Sequence, residues 1–396
     1  MKSRKLLICN AKIFLKDKIM HGNVIVENGK IKEIVSQLNN LENHYKEDIV
    51  YDMKGRYLLP GFVDIHCHGG NNSSFMDCEE SDFENILSYY LKHGTTTIFP
   101  TTLSSDDQQL ILFLDTYENY IKKNSYYKKM MGGCHLEGPY LSIEKAGAQL
   151  QSKCKEVDFS FAVDVINKYL CIKRWTIAPE MDIKYKLSTL LRERKIVVSA
   201  GHTKVLYEEM QEAFKNGYTH MTHLYSGMNS MIYVDSFRKA GAVEAALLDP
   251  DITVELIADG IHLPYPLIEI VYKIKGPDKI AIITDGMRGT GTKGQKSVLG
   301  NRKTGLKVII KKGVAMLEDY SSLAGSITPL NKMFLGLVNN TSIPIIDIVK
   351  MCSYSPACIM GIQNTVGLIQ PDYIANFIDM DNNWNVINVI YNGMIV

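Results

Sequence analysis

Short apolar runs of strand length recur through the middle of the chain, and most are followed by a stretch whose apolar residues repeat every three or four positions. The runs are GFVDIHCH (61–68), TTTIFPTT (95–102), MGGCHLEG (131–138), RWTIAPE (174–180), IVVSAGHT (196–203), THMTHLY (219–225), TVELIADG (253–260) and IAIITDG (280–286). Amphipathic segments such as SDFENILSYYLKHG (81–94) and KVLYEEMQEAFKNG (204–217) lie between them and close on glycine, as helix C-termini prefer. Eight such strand-and-helix units predict an α/β fold, a (β/α)8 TIM-like barrel, for which about 250 residues is typical. A doubly wound open sheet is the alternative. The flanks read differently. Residues 6–58 carry apolar runs broken by Asn-Gly and charged turns, which predicts hairpins, and the final ANFIDMDNNWNVINVIYNGMIV has the same character. Chain ends often lie close together. Residues 1–58 with 360–396 are therefore expected to build one small β-sandwich domain, and 59–359 the barrel.

Composition narrows the partners. Lys and Arg total 44 against 43 Asp and Glu, a net charge of +1, so nothing global draws the chain to nucleic acid or to an anionic membrane. An anionic ligand must be held by a few placed groups. The apolar run Leu6 to Cys9 is far shorter than the roughly 7 to 15 residues of a signal h-region, and no stretch approaches the roughly 18 apolar residues of a membrane span. A cytoplasmic location is expected. The eight cysteines contain no CxxC pair and several sit in apolar runs, as reduced core residues do. Gly289, Gly291 and Gly294 match the spacing of a dinucleotide-binding turn, but a hairpin-like TGLKVIIKKGVAML follows where a helix is needed, so a mobile loop beside the active site is the better reading.

Of ten histidines, seven (His66, His68, His135, His202, His220, His223 and His262) lie in or just after predicted strands. The C-terminal strand ends of a barrel converge on one site, so imidazoles gathered there point to a metal. His66 and His68, one residue apart, face the same side of the first strand, whereas Cys67 faces the helices. Glu137 ends the third strand, where an acidic residue is costly unless a cation or donor neutralises it. His135 shares its face one layer deeper and fits a supporting hydrogen bond. His202 follows the fifth strand and His223 the sixth; His220 has the opposite parity to His223 and is expected to face outward. A donor set of imidazoles and a carboxylate suits a divalent zinc, iron or manganese ion, one or two per subunit. Asp285, at the end of the eighth strand, has apolar neighbours that would raise the pKa of an unpaired carboxylate. As a helix N-cap it would be structural; beside a metal it is placed to move a proton.

In order, the motifs PGFVDIHCHG, HLEGPYL, AGHT, THLY, ADGIH, TDG and SLAGS resemble the amidohydrolase superfamily and, within it, the N-acetylglucosamine-6-phosphate deacetylase family, over nearly the whole chain. The resemblance implies a metal-dependent barrel with a β-sandwich from both chain ends, and an enzyme that hydrolyses the acetamide of an amino-sugar phosphate. It implies metal ligation by Glu137, His202 and His223, a second ion held with His66 and His68, and proton transfer by Asp285. His262, Arg238, Ser226, Gly227 and Gln149 fall on substrate-binding positions, with Arg238 reaching into the neighbouring subunit of a homodimer. Two segments depart from the family: FRKAG stands where it shows REPG, and SGM where it shows NAM. The competing expectations are a metal amidohydrolase acting on a different N-acyl amino sugar, an N-acyl amino acid or a cyclic amide, and a binding protein without catalysis.

Overall fold

A computed structural model of the chain describes residues 5–36, 49–123 and 125–396. The basic start and part of the expected N-terminal hairpin region, 37–48, lie outside the described residues. Six of the eight predicted runs form one parallel sheet in chain order: Cys134–Glu137, Ile172–Ile177, Val197–Ala200, His220–Met221, Thr253–Ile257 and Ile280–Ile283. The other two, Phe62–Cys67 and Thr95–Pro100, pair in parallel with each other. Parallel bridges Ile98 to Met131 and Thr101 to His135 tie the second strand to the third, and Cys67 to Gly286 ties the first to the end of the eighth. The parallel sheet is curled, and side chains from distant parts of the chain meet on its inner face.

Helices follow the predicted pattern. Glu80–Lys92 and Tyr207–Lys215 bury one apolar stripe each against the sheet. The first ends where Gly94 takes a φ of +90°, and a Cβ there would lie 2.8 Å from Ile378 Cδ1, so only glycine permits this close approach to the C-terminal part of the chain. The two ends do meet. Strands Lys5–Phe14, Ile19–Glu27, Lys30–Val35, Ile49–Asp52 and Tyr57–Pro60 share a sheet with Phe377–Met380, Val386–Tyr391 and Met394–Ile395, joined where 57–60 pairs antiparallel with 377–380. Leu6, Ile8, Val24, Leu58, Phe377 and Ile390 form its apolar cluster, separate from the cluster under the parallel sheet.

Two features differ from expectation. The sixth strand is only His220–Met221 rather than the run 219–225, because the backbone leaves the strand and reaches φ +28° at His223. That turn breaks the period-2 parity. His220 consequently faces inward, not outward: it is fully buried, with Nδ1 2.6 Å from Thr253 Oγ1 and Nε2 3.6 Å from the Glu255 carboxylate. The second is a buried ion pair that the pattern of apolar runs did not announce. Arg174, on the fourth strand, pairs with Glu255 on the seventh, and its remaining N–H groups donate to Ser199 Oγ at 2.8 Å and Thr222 Oγ1 at 2.9 Å.

Both partners are fully buried. Removing one leaves a charge without its partner, which typically costs about 3–5 kcal/mol, whereas removing both can be nearly neutral. Arg174→Met is therefore expected to lower stability in urea unfolding by about that amount, with most of the loss recovered in Arg174→Met/Glu255→Gln. A single variant as stable as the parent would show that the pair does not hold the sheet interior.

Candidate metal centre and active site

At the C-terminal ends of the parallel strands the backbone brings Glu137, His202 and His223 together, and beside them His66, His68 and the same Glu137; within each group the donor atoms lie within 4.8 Å of one another. Glu137 Oε1 lies 2.9 Å from His223 Nε2 and 3.2 Å from His202 Nε2, while Oε2 lies 3.3 Å from His68 Nε2. The carboxylate thus stands between the two groups. Asp285 completes the cluster, its Oδ1 3.1 Å from His68 Nε2 and 3.5 Å from His66 Nε2.

The tautomers decide what this cluster can hold. His202 Nδ1 donates to the Lys145 carbonyl at 2.9 Å, His223 Nδ1 to the Ser226 carbonyl at 3.2 Å and His68 Nδ1 to the Thr101 carbonyl at 3.2 Å. A carbonyl can only accept, so each neutral ring keeps its lone pair on Nε2. His202 and His223 then present two lone pairs to each other across 3.1 Å, and His66, whose Nδ1 donates to the Glu255 carboxylate at 3.1 Å, does the same with His68 across 3.2 Å. Facing lone pairs repel unless a cation lies near both. This donor set fits a divalent metal with nitrogen and carboxylate ligands.

The electrostatics agree. Burial alone would push the Glu137 carboxyl up, but His66, His202 and His223 hold it well below the usual carboxylate range. Burial would likewise lower the imidazole pKa values, yet Glu137 and Glu255 lift His66 to about 10, and Asp285 and Glu137 lift His68 to about 9. The pocket attracts positive charge, whether protons or a metal ion. Asp285 departs from expectation: burial raises its pKa, but His68 and His66 override this and the net shift is downward, leaving a carboxylate. His135 plays the supporting part foreseen for it. Burial and the Arg174 guanidinium hold it neutral, with Nε2 2.7 Å from Thr176 Oγ1. Cys67 belongs to neither donor group.

The cluster forms one side of a cavity of about 230 Å³. Ser226, Gly227 and His262 line a polar wall, and Leu103, Leu299 and Leu323 an apolar one. Leu299 ends the strand Lys296–Leu299 that follows the glycine-rich stretch, so this segment does reach the site. His262 Nδ1 meets Asp259 Oδ2 at 2.7 Å, while its Nε2 is buried without a hydrogen-bond partner among the described residues, a polar atom available to a ligand. Gln149 lines the cavity too, but its amide is engaged: Nε2 donates to Glu137 Oε2 at 2.6 Å and Oε1 accepts from Ser104 N at 2.7 Å. Arg238 is not in the cavity. It sits on the exposed hairpin Ile232–Val234/Phe237–Lys239, stacked 5.5 Å from the Tyr233 ring, with Tyr233 and Phe237 also exposed.

Two residues that support the site escaped sequence reasoning, Glu255 and Arg174. Each is a charged residue inside an apolar strand run, which is the signal that could have found them.

The amidohydrolase family profile matches residues 57–396, and the chain belongs to the amidohydrolase family. Among its relatives is the N-acetylglucosamine-6-phosphate deacetylase of Haemophilus influenzae, 30% identical over 396 residues, covering 98% of each chain. The enzyme of the same name from Bacillus subtilis is 30% identical over 401 residues, covering 99% of this chain and 97% of its own. A crystal structure of N-acetylglucosamine-6-phosphate deacetylase from Pasteurella multocida superposes with a TM-score of 0.90 at 27% identity, covering 99% of both chains.

Gly227 gives a direct test of the cavity wall. Its φ is +60°, and a Cβ would lie 2.9 Å from His202 Nδ1, against the hydrogen bond that fixes that ring. Gly227→Ala is expected to destabilise the protein by more than about 1 kcal/mol in urea unfolding. An unchanged midpoint would mean that the loop moves freely away from His202.

Proposed function

We propose that this chain hydrolyses the acetamide of N-acetyl-D-glucosamine 6-phosphate to D-glucosamine 6-phosphate and acetate, as a metal-dependent amidohydrolase of amino-sugar catabolism. The observation that carries the reading is the buried Glu137 standing between two histidine pairs, with the Asp285 carboxylate alongside and an open cavity above. Glu137, His202 and His223 would hold one divalent ion, zinc by its donor set, and His66 and His68 would share Glu137 toward a second. When bound, such an ion polarises the amide carbonyl and lowers the pKa of water.

The protein's own residues do the rest. Asp285, held as a carboxylate, takes a proton from the attacking water as the new C–O bond forms. It returns that proton to the sugar nitrogen as the C–N bond breaks, because an amine anion is too basic to leave near neutral pH. His262 Nε2 offers a buried contact to the substrate, and the Ser226–Gly227 turn fits against the sugar. The apolar wall of Leu103, Leu299 and Leu323 suits the acetyl methyl.

The eight parallel strands are read as a closed (β/α)8 barrel on residues 59–359, and the sheet of both chain ends, on 1–58 with 360–396, as a separate β-sandwich domain. Arg238 would reach the substrate phosphate of a second subunit in a homodimer. The exposed, partly apolar hairpin that carries it supports this, and its planar fork suits phosphate oxygens. A cytoplasmic location fits eight cysteines that are all free thiols, and among the described residues no helix is long and apolar enough to cross a membrane. Arg238 lying outside the cavity also keeps a second reading in play: an amidohydrolase whose N-acyl substrate carries no phosphate.

Acetate release from N-acetylglucosamine 6-phosphate, its galacto epimer and the unphosphorylated sugars tests the substrate. Release from the phosphorylated gluco compound above all others is expected, and equal rates without phosphate would favour the second reading. For the chemistry, Glu137→Ala and His202→Ala are expected to lose bound metal and turnover together, while Asp285→Asn keeps metal and fold and loses roughly a hundredfold to ten-thousandfold in kcat. Full metal occupancy in the first two, or normal kcat in the third, would overturn these assignments. Arg238→Ala is expected to raise KM for the phosphorylated sugar and leave turnover of the unphosphorylated one nearly unchanged. Equal losses on both, or a fully active monomer, would remove Arg238 from the site.

A further inference from the structure

The two donor groups are tied together from below by one side chain. Glu255 is fully buried on the seventh strand, and its Oε2 accepts two hydrogen bonds, from His66 Nδ1 at 3.1 Å and from the backbone N–H of His223 at 3.1 Å. Its Oε1 is taken by Arg174. Its own carbonyl accepts from Leu224 N at 2.9 Å, so side chain and backbone together grip the segment in which His223 adopts φ +28°. His66 belongs to one donor group and His223 to the other.

We propose that Glu255 is a positioning residue for the metal centre, fixing the tautomer of His66 and the backbone of His223 so that both Nε2 atoms face the ion. The proposal rests on reading the His/Glu groups as a metal site. A carboxylate accepts only, so it demands a proton on His66 Nδ1 and leaves the lone pair on Nε2, aimed at His68 and Glu137. A glutamine cannot serve all three donors. If its oxygen faces Arg174, its NH2 meets the His223 N–H and gives His66 Nδ1 a donor, so the proton moves to Nε2 and blocks ligation. If its oxygen faces His66, its NH2 meets the guanidinium.

The probe is Zn²⁺ alone, competed against a chelator, on the full-length protein. Glu255→Gln is expected to bind Zn²⁺ roughly ten- to a hundredfold more weakly, the usual effect of removing a partner behind a metal-bound histidine. At saturating Zn²⁺ its kcat should fall with KM unchanged. A loss of general stability would act differently. Phe377→Ala, a fully buried change in the end sheet, serves as the control and is expected to keep parental Zn²⁺ affinity. Should Glu255→Gln fail to fold, Arg174→Met/Glu255→Leu removes both buried charges together with the acceptor of His66 Nδ1 and the His223 N–H, and is expected to fold with weakened affinity. Parental affinity in whichever of these two variants folds, or an equal loss in Phe377→Ala, would overturn the proposal. Parent protein that binds no Zn²⁺ would overturn the metal reading along with it. Zn²⁺ binding without acetate release would remove only the substrate assignment.

Discussion

Glu137 is a carboxylate with almost no contact with water, and the site is organised around making that burial tolerable. An isolated buried charge is prohibitively costly. Four imidazoles and the Gln149 amide surround this one. Taken with Glu255 and Asp285, three carboxylates face a single guanidinium, Arg174, which leaves two negative charges while the imidazoles are neutral. One divalent cation offsets them, as would two protons on His66 and His68. The same arrangement that makes the interior expensive to build makes it a strong cation trap, and this links the packing of the sheet to the chemistry at its mouth.

Backbone conformation follows from the same demand. His202, His223 and Asp285 all have positive φ, at +48°, +28° and +46°, where residues other than glycine are strained. Each stands where the chain leaves a parallel strand. Continuing the strand would keep these side chains in the alternating pattern of the sheet wall; turning the backbone lifts them over its rim toward Glu137. The carbonyls of Lys145 and Ser226 then lock the two rings, and the His66 carbonyl accepts the Asp285 N–H at 3.0 Å. Strain at three positions is held by hydrogen bonds, at His202 and Asp285 from segments far apart in sequence and at His223 from the turn three residues on.

Much of this was legible in the chain. All eight apolar runs became parallel strands, the helices 80–92 and 207–215 fall where period and glycine placed them, and the flanks pair in one sheet. The histidine and glutamate positions could be read because catalytic groups of such folds sit at strand ends, which the apolar runs mark. Parity failed at His220, since alternation assumes an unbroken strand and the chain turns three residues later, at His223. The direction of the Asp285 shift also escaped, because local apolar neighbours say nothing of two imidazoles arriving from the first strand. Glu255 and Arg174 were hidden for a related reason: each looks like an error in an apolar run until its partner, 81 residues away, is known.

The sequence by itself determined the periodicity, the strand ends and the residue types able to ligate a metal or move a proton, because these depend on local backbone geometry and side-chain chemistry. Tertiary structure alone decided which ring nitrogen faces the centre, which carboxylate stands between the two groups, and that Gln149 is bound to Glu137. It also placed Arg238 on an outer hairpin. Those properties depend on distances between strands that are remote in the chain. Electrostatic and hydrogen-bond energies change over a few tenths of a nanometre, a scale that sequence spacing leaves open and packing fixes.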